Sequence, residues 1–160
     1  MTSIQVTIDQ EQGTISVMNN GKGIPIEMHK EHGMYVPEMI FGHLLTSSNY
    51  NDQDKKVTGG RNGFGAKLTN IFSTEFIVET GDSKKNKVYR QRFYDNMSKK
   101  EDPVLSANEY AMDFTKVTFT PDLAKFSMTH LEDDIVSLMT KRVYDMAGVT
   151  DSKIRVKLNG

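Results

Sequence analysis

Cysteine is absent from this 160-residue chain, which excludes disulfides and thiolate metal sites and fits a reducing compartment. An excess of charge is missing as well. Twenty basic residues face twenty-one acidic ones, a net charge of −1, so the segment carries no electrostatic footprint for nucleic acid. Any role on DNA must come from elsewhere in a larger protein. Long apolar runs are also lacking, and none approaches the roughly 20 residues that a membrane-spanning helix needs. Residues 1–4 lead into a strand pattern rather than a basic, apolar signal peptide. There is no internal repeat and no low-complexity tract, and the length suits one domain at most.

Glycine is what the chain has where it counts. Thr58-Gly59-Gly60-Arg61-Asn62-Gly63-Phe64-Gly65-Ala66-Lys67 holds four glycines in the seven positions 59–65 and runs into the helix-compatible Leu68-Thr69-Asn70-Ile71-Phe72. Glycine lets main chain approach a ligand closely, and a loop feeding a helix start presents free N–H groups to an anion. A polyphosphate is the natural guest, with Lys67 as a point charge. The loop is not a Walker A sequence: Gly60 and Gly65 have the right separation, but Ala66 follows and Lys67 comes one place late. Nor is it a dinucleotide fingerprint, because Gly63 and Gly65 are followed by Leu68, and Gly21 and Gly23 by Ile26.

The upstream element Asn19-Asn20-Gly21-Lys22-Gly23-Ile24-Pro25 follows two alternating runs, Ile4/Val6/Ile8 and Ile15/Val17, that read as strands joined by a hairpin connection at residues 9–13. Asn-Gly is by itself a turn signal. No alternating strand follows Pro25, however, and an amide beside two glycines at a strand end can present a hydrogen-bonding edge to a base. Further strands are expected near 75–80, 87–94, 114–120 and 153–158, and helices near 36–46, 65–72 and 129–147. Pro37 suits a first helical turn. In the last helix Thr129 and Glu132 have capping-box spacing, Leu131, Ile135, Leu138, Met139 and Met146 form a stripe, and Gly148 suits the C′ position. Polar connections are expected at 81–87 and 95–113. Interleaved strands and helices suggest a sheet with helices on one face.

The two glycine elements together resemble the GHKL ATPases, the family with the Bergerat nucleotide-binding fold. Met34-Tyr35-Val36-Pro37, Leu44-Leu45-Thr46-Ser47-Ser48-Asn49-Tyr50, Lys56-Val57 leading into the loop, Asn70-Ile71-Phe72-Ser73-Thr74 and Leu138-Met139-Thr140-Lys141-Arg142 are similar to the branch formed by the ATPase regions of eukaryotic type II DNA topoisomerases. The likeness runs nearly end to end and is weakest between 81 and 113. It implies an α/β (α+β) two-layer sandwich, a mixed, mostly antiparallel sheet covered on one face by helices, with residues 1–160 as a partial ATPase domain. ATP, Mg²⁺, homodimerisation on ATP binding, double-stranded DNA held by other domains and a nuclear location are implied with it.

Carried over residue by residue, the resemblance places Asn19 on the adenine amine, Gly23 where backbone closes on the base, and Thr115 as a second adenine contact. Ser47, Ser48 and Asn49 would meet ribose and phosphate. Gly60, Arg61, Asn62, Gly63, Phe64, Gly65, Ala66 and Lys67 would wrap the triphosphate, with residues 50–60 as a lid. In the family the glutamate base and the Mg²⁺-binding asparagine lie on a helix before the first hairpin, and a transducer domain follows. No catalytic residue is therefore expected within 1–160, and no ATPase activity from this segment alone. Other GHKL machines (a heat-shock chaperone, a mismatch-repair clamp, a histidine kinase) and a non-catalytic nucleotide-binding module are the competing readings. Glu27, His29, Glu31 and His32 match neither His-Glu-x-x-His nor its inverse and read as a solvated loop. Lys84-Lys85 and Lys99-Lys100 read as solvated charges.

Overall fold

The computed structural model describes residues 1–43 and 63–160. Alternation dictates the strands: β1 (Ser3–Asp9), β2 (Thr14–Asn19), β3 (Ser73–Asp82), β4 (Lys87–Tyr94) and β7 (Phe114–Pro121). The short β5 (Lys99–Lys100), β6 (Val104–Ala107) and β8 (Arg155–Leu158) complete one sheet in the order β5-β4-β3-β7-β2-β1-β8, with β6 on the edge of β4. All pairs are antiparallel except β1 with β8. Three helices, α1 (Val36–Gly42), α2 (Gly65–Ile71) and α3 (Asp133–Val149), and a 3-10 turn at Leu123–Phe126 make up the rest of the regular structure among the described residues. This is the two-layer, mixed-sheet sandwich expected from the sequence.

Register sorts the side chains onto two faces. Phe76, Val78 and Thr80 of β3 stand opposite Phe119, Val117 and Thr115 of β7, which stand opposite Ile15, Val17 and Asn19 of β2. On the other side of β3 the same rows continue into Phe93, Gln91 and Tyr89 of β4. A strand alternates with period two, so all of these share the inner face. Phe41 of α1 packs on Phe76, Val78 and Phe93, while Leu131, Ile135 and Met139, at and before α3, pack on Ile8 and Ile15. Phe119 touches both clusters. The outer face carries Glu75, Glu79, Arg92 and Lys116, joined by ion pairs such as Arg92–Glu75 at 2.5 Å.

A buried polar chain fixes α1 to the sheet. Tyr89 Oη donates to Gln91 Oε1 at 2.5 Å, and Gln91 Nε2 donates to Glu38 Oε2 at 3.2 Å and to the Glu101 carbonyl at 3.1 Å. Glu38, itself buried, is paired with Lys100. Burial, then the Glu38 charge, push the Tyr89 phenol well above its ordinary value, so it remains a donor. Lys100 is exposed, as read from sequence, and makes its pair with the buried Glu38, while Lys85 and Lys99 pair with the exposed Glu27 and Asp95. Gln91→Leu leaves a phenol and a carboxylate short of partners at a cost of about 1–3 kcal/mol. A thermal melt should show the loss, and an unchanged melting temperature would mean that the chain contributes little.

Four local expectations are corrected. The capping box does not form: Glu132 is the N-cap without a side-chain cap bond, and Thr129 Oγ1 contacts His130 Nδ1 instead. Gly148 lies inside α3, which runs to Val149 with Thr150 as its C-cap. The polar connection 95–113 contains β5 and β6. Leu138 and Met146 of the proposed stripe are exposed rather than core.

Candidate nucleotide site

The end of β2 presents two adjacent asparagines with different tasks. Asn20 Oδ1 accepts the backbone N–H groups of Thr2 and Ser3 at 2.9 and 2.8 Å, and its Nδ2 donates to Thr2 Oγ1 at 2.8 Å. It is committed to holding the chain start. Asn19, one residue earlier and therefore on the inner face, accepts the Gly21 N–H at 3.0 Å through Oδ1. A carboxamide oxygen has two lone pairs, so Asn19 retains acceptor capacity beside Thr115, its partner on β7.

Gly23 is held against the central strand. A Cβ there would lie 2.1 Å from the Gly81 carbonyl oxygen and 2.9 Å from Thr80 Oγ1, so only glycine fits. The next residue anchors the segment, with Ile24 N–H donating to Thr80 Oγ1 at 2.9 Å. Thr80, fully buried, donates to the Phe114 carbonyl at 2.9 Å and lies 3.4 Å from Thr115 Oγ1. Thr80 and Gly81 are thus the floor of this corner, and sequence reading missed them. The signal was there: Thr80 is a polar residue in line with Phe76 and Val78 on an inward strand face.

The described part of the glycine loop enters α2. Gly63 has φ +66°, which favours glycine, and Phe64 is the N-cap without a side-chain cap bond. Gly65 and Ala66 are exposed on the first turn, whereas Lys67 is only 2% exposed. Its burial holds the ammonium below the ordinary lysine value. Asn70, also buried, donates from Nδ2 to the Phe41 carbonyl at 3.1 Å, tying α2 to α1, while its Oδ1 is buried without a partner. Ser47, Ser48, Asn49, Gly60, Arg61 and Asn62, and the lid at 50–60, lie outside the described residues.

Asn19 also lines a groove of about 890 Å³ between β1, β2 and β8 on one side and α3 on the other. Ile4, Val6 and Val17 form its floor and Leu138, Met139 and Arg142 its wall. Neither Thr115 nor Gly23 lines this groove. It is the corner formed by Asn19, Thr115 and Gly23 that suits an adenine nucleotide: an amide oxygen with a lone pair to spare, a hydroxyl in register, and a backbone that only glycine can bring so close. None of them is a general base.

Comparison with known proteins decides the family. Residues 1–102 match the family model of histidine kinase-, DNA gyrase B- and HSP90-like ATPases. The chain belongs to that family. Among these ATPases it is similar to topoisomerases II. Over all 160 residues it is 62% identical to the DNA topoisomerase 2 of Arabidopsis thaliana and 60% identical to that of Penicillium chrysogenum, spanning 11% and 10% of their lengths. The ATPase region of Saccharomyces cerevisiae topoisomerase II superposes with a TM-score of 0.95 at 54% identity, over 99% of this chain and 42% of that one. The 43K ATPase domain of Thermus thermophilus gyrase B shares the fold, with a TM-score of 0.69 at 24% identity over 91% of this chain and 34% of that one.

Proposed function

We propose that this chain is the nucleotide-binding portion of a type II DNA topoisomerase, which passes one duplex through a transient double-strand break in another. The segment binds ATP and contributes to a gate closed by homodimerisation, with DNA held by other domains, Mg²⁺ carried with the nucleotide, and a nuclear location. The observation that carries this reading is the convergence of Asn19, Thr115 and Gly23 at one end of the inner sheet face, supported by the topoisomerase likeness along the whole chain.

Asn19 Oδ1 accepts from the base amine and Thr115 supplies the second polar contact. Gly23 lets main chain lie against the base. Ser47, Ser48 and Asn49 meet ribose and phosphate, and Gly60 to Lys67 surround the phosphates through backbone N–H groups and one ammonium. Bound nucleotide supplies the phosphoanhydride bond that is cleaved; the residues of this chain orient it. No metal ligand for the nucleotide's Mg²⁺ and no base is assigned within 1–160.

The test is Asn19→Leu in the full-length protein. The leucine leaves the base amine unpaired, a loss of about 1–3 kcal/mol, and the base is common to both nucleotides. ATP and ADP affinity should therefore fall alike by calorimetric titration. Affinity lost for ATP but retained for ADP would remove Asn19 from the base. Because Asn19 also accepts the Gly21 N–H, Asn19→Asp, which retains that acceptor, is the matched control and should bind more tightly than the leucine variant.

A further inference from the structure

His29, Glu31 and His32 were set aside in sequence because their spacing fits no helical zinc motif. The structure places them in a closed loop instead, where helical spacing rules do not apply. Met28 bridges to Tyr35, His29 N–H donates to the Met34 carbonyl at 2.7 Å, Gly33 N–H donates back to the His29 carbonyl at 3.0 Å, and Val36 N–H donates to the Glu27 carbonyl at 2.9 Å. Gly33, at φ +63°, makes the reversal. The closure brings residues 29 and 32 to the same side.

Three observations point to a cation. One ligating atom from each of His29, Glu31 and His32 lies within 4.8 Å of the others. The two imidazole centroids are 4.8 Å apart with planes inclined by 31°. At this separation one nitrogen of each ring reaches a common ion about 2.0–2.1 Å away once the side chains turn toward it. Finally, His29 Nδ1 is buried and has no hydrogen-bond partner. A buried polar atom without a partner is costly, and an ion is one of the standard reasons for it. Glu27, the other acid of the loop, is excluded because it is paired with Lys85 at 2.8 Å.

We propose that His29, Glu31 and His32 form a binding site for a divalent transition-metal cation of the zinc class. Two imidazoles and one carboxylate are a borderline-soft donor set that suits zinc, cobalt or nickel, and disfavours Mg²⁺ and Ca²⁺, which take oxygen ligands. The site is separate from the Mg²⁺ expected to accompany the nucleotide. An ion here cross-links the loop that connects the Gly23 corner to α1, so its role is structural. Three protein ligands leave the remaining position to water.

The experiment is calorimetric titration of the untagged, chelator-dialysed chain with Zn²⁺ without nucleotide, alongside Co²⁺ absorption spectra. One saturable equivalent, a raised melting temperature and a tetrahedral Co²⁺ spectrum are expected. Exposed His32 can be truncated without disturbing the fold, so His32→Ala should abolish saturable binding while its circular dichroism stays native. Glu31→Gln should weaken binding, and His130→Ala should leave it unchanged. Absence of saturable binding in the parent chain overturns the proposal, as does one-equivalent binding that survives His32→Ala. If His29→Gln fails to fold, His32→Ala alone decides.

Discussion

Gly23→Val should abolish nucleotide binding and destabilise the fold together, and Gly23→Ala should already cost about 1–3 kcal/mol through overpacking. The reason is what the added carbon meets. At 2.1 Å from the Gly81 carbonyl oxygen it overlaps backbone rather than the movable end of a side chain. Gly81 belongs to β3, paired on both edges by β4 and β7, so the sheet cannot yield. The 21–25 segment must move instead. That breaks the Ile24 N–H to Thr80 Oγ1 bond and lifts Ile24 from the Phe41/Phe76/Val78/Phe93 cluster. Gly148→Ala is the matched contrast, because its Cβ meets nothing within 4 Å inside α3 and should gain about 0.5–1 kcal/mol. Thermal melts of both variants and an ATP-analogue titration of Gly23→Ala check this. A Gly23→Ala protein as stable as the parent, with parental affinity, would show that the corner is not built on this contact.

The long strands were legible because one face of each is buried and the other is wet. Ile4/Val6/Ile8 and Ile15/Val17 alternate for that reason, and the structure finds them on one sheet face. β5 and β6 were not legible: every residue in them is exposed, so no alternation is imposed on Lys99-Lys100 or Val104–Ala107. The start of α3 was misread because Leu131 is only 1% exposed and drawn into the core ahead of the helix, leaving Glu132 extended and Thr129 outside. In the candidate site, Asn19, Gly23 and Thr115 were proposed through motif and resemblance, and the sheet register brings Asn19 and Thr115 together. Thr80 and Gly81 lie far away in sequence, and only strand pairing places them under Gly23. The His29–His32 pairing was hidden for the opposite reason, since a helical template was applied to residues that occupy a loop.

Gly65→Val should weaken nucleotide binding more than Lys67→Ala, by about tenfold or more, which corresponds to roughly 1.4 kcal/mol. The structure changes the grounds for this expectation. Gly65 does not have a positive φ; in the described part of this loop that conformation belongs to Gly63. Nor does any described residue crowd Gly65, whose Cβ would meet nothing within 4 Å. Valine at this first position of α2 therefore carries no helix-propensity penalty relative to glycine, and the protein should fold. Any large loss of affinity must then come from the valine side chain standing between backbone N–H groups and phosphate. Lys67 presents the opposite problem. It is almost wholly buried, so Lys67→Ala removes packed methylenes as well as a charge, and its stability needs the closer check. Lys67→Met keeps most of the volume and removes the charge alone. ATP-analogue titrations of the full-length protein, restricted to variants with native circular dichroism and melting behaviour, compare the three. Folded Gly65→Val that binds like the parent, beside a Lys67→Met that does not, would transfer the phosphate-holding role from the loop backbone to the lysine.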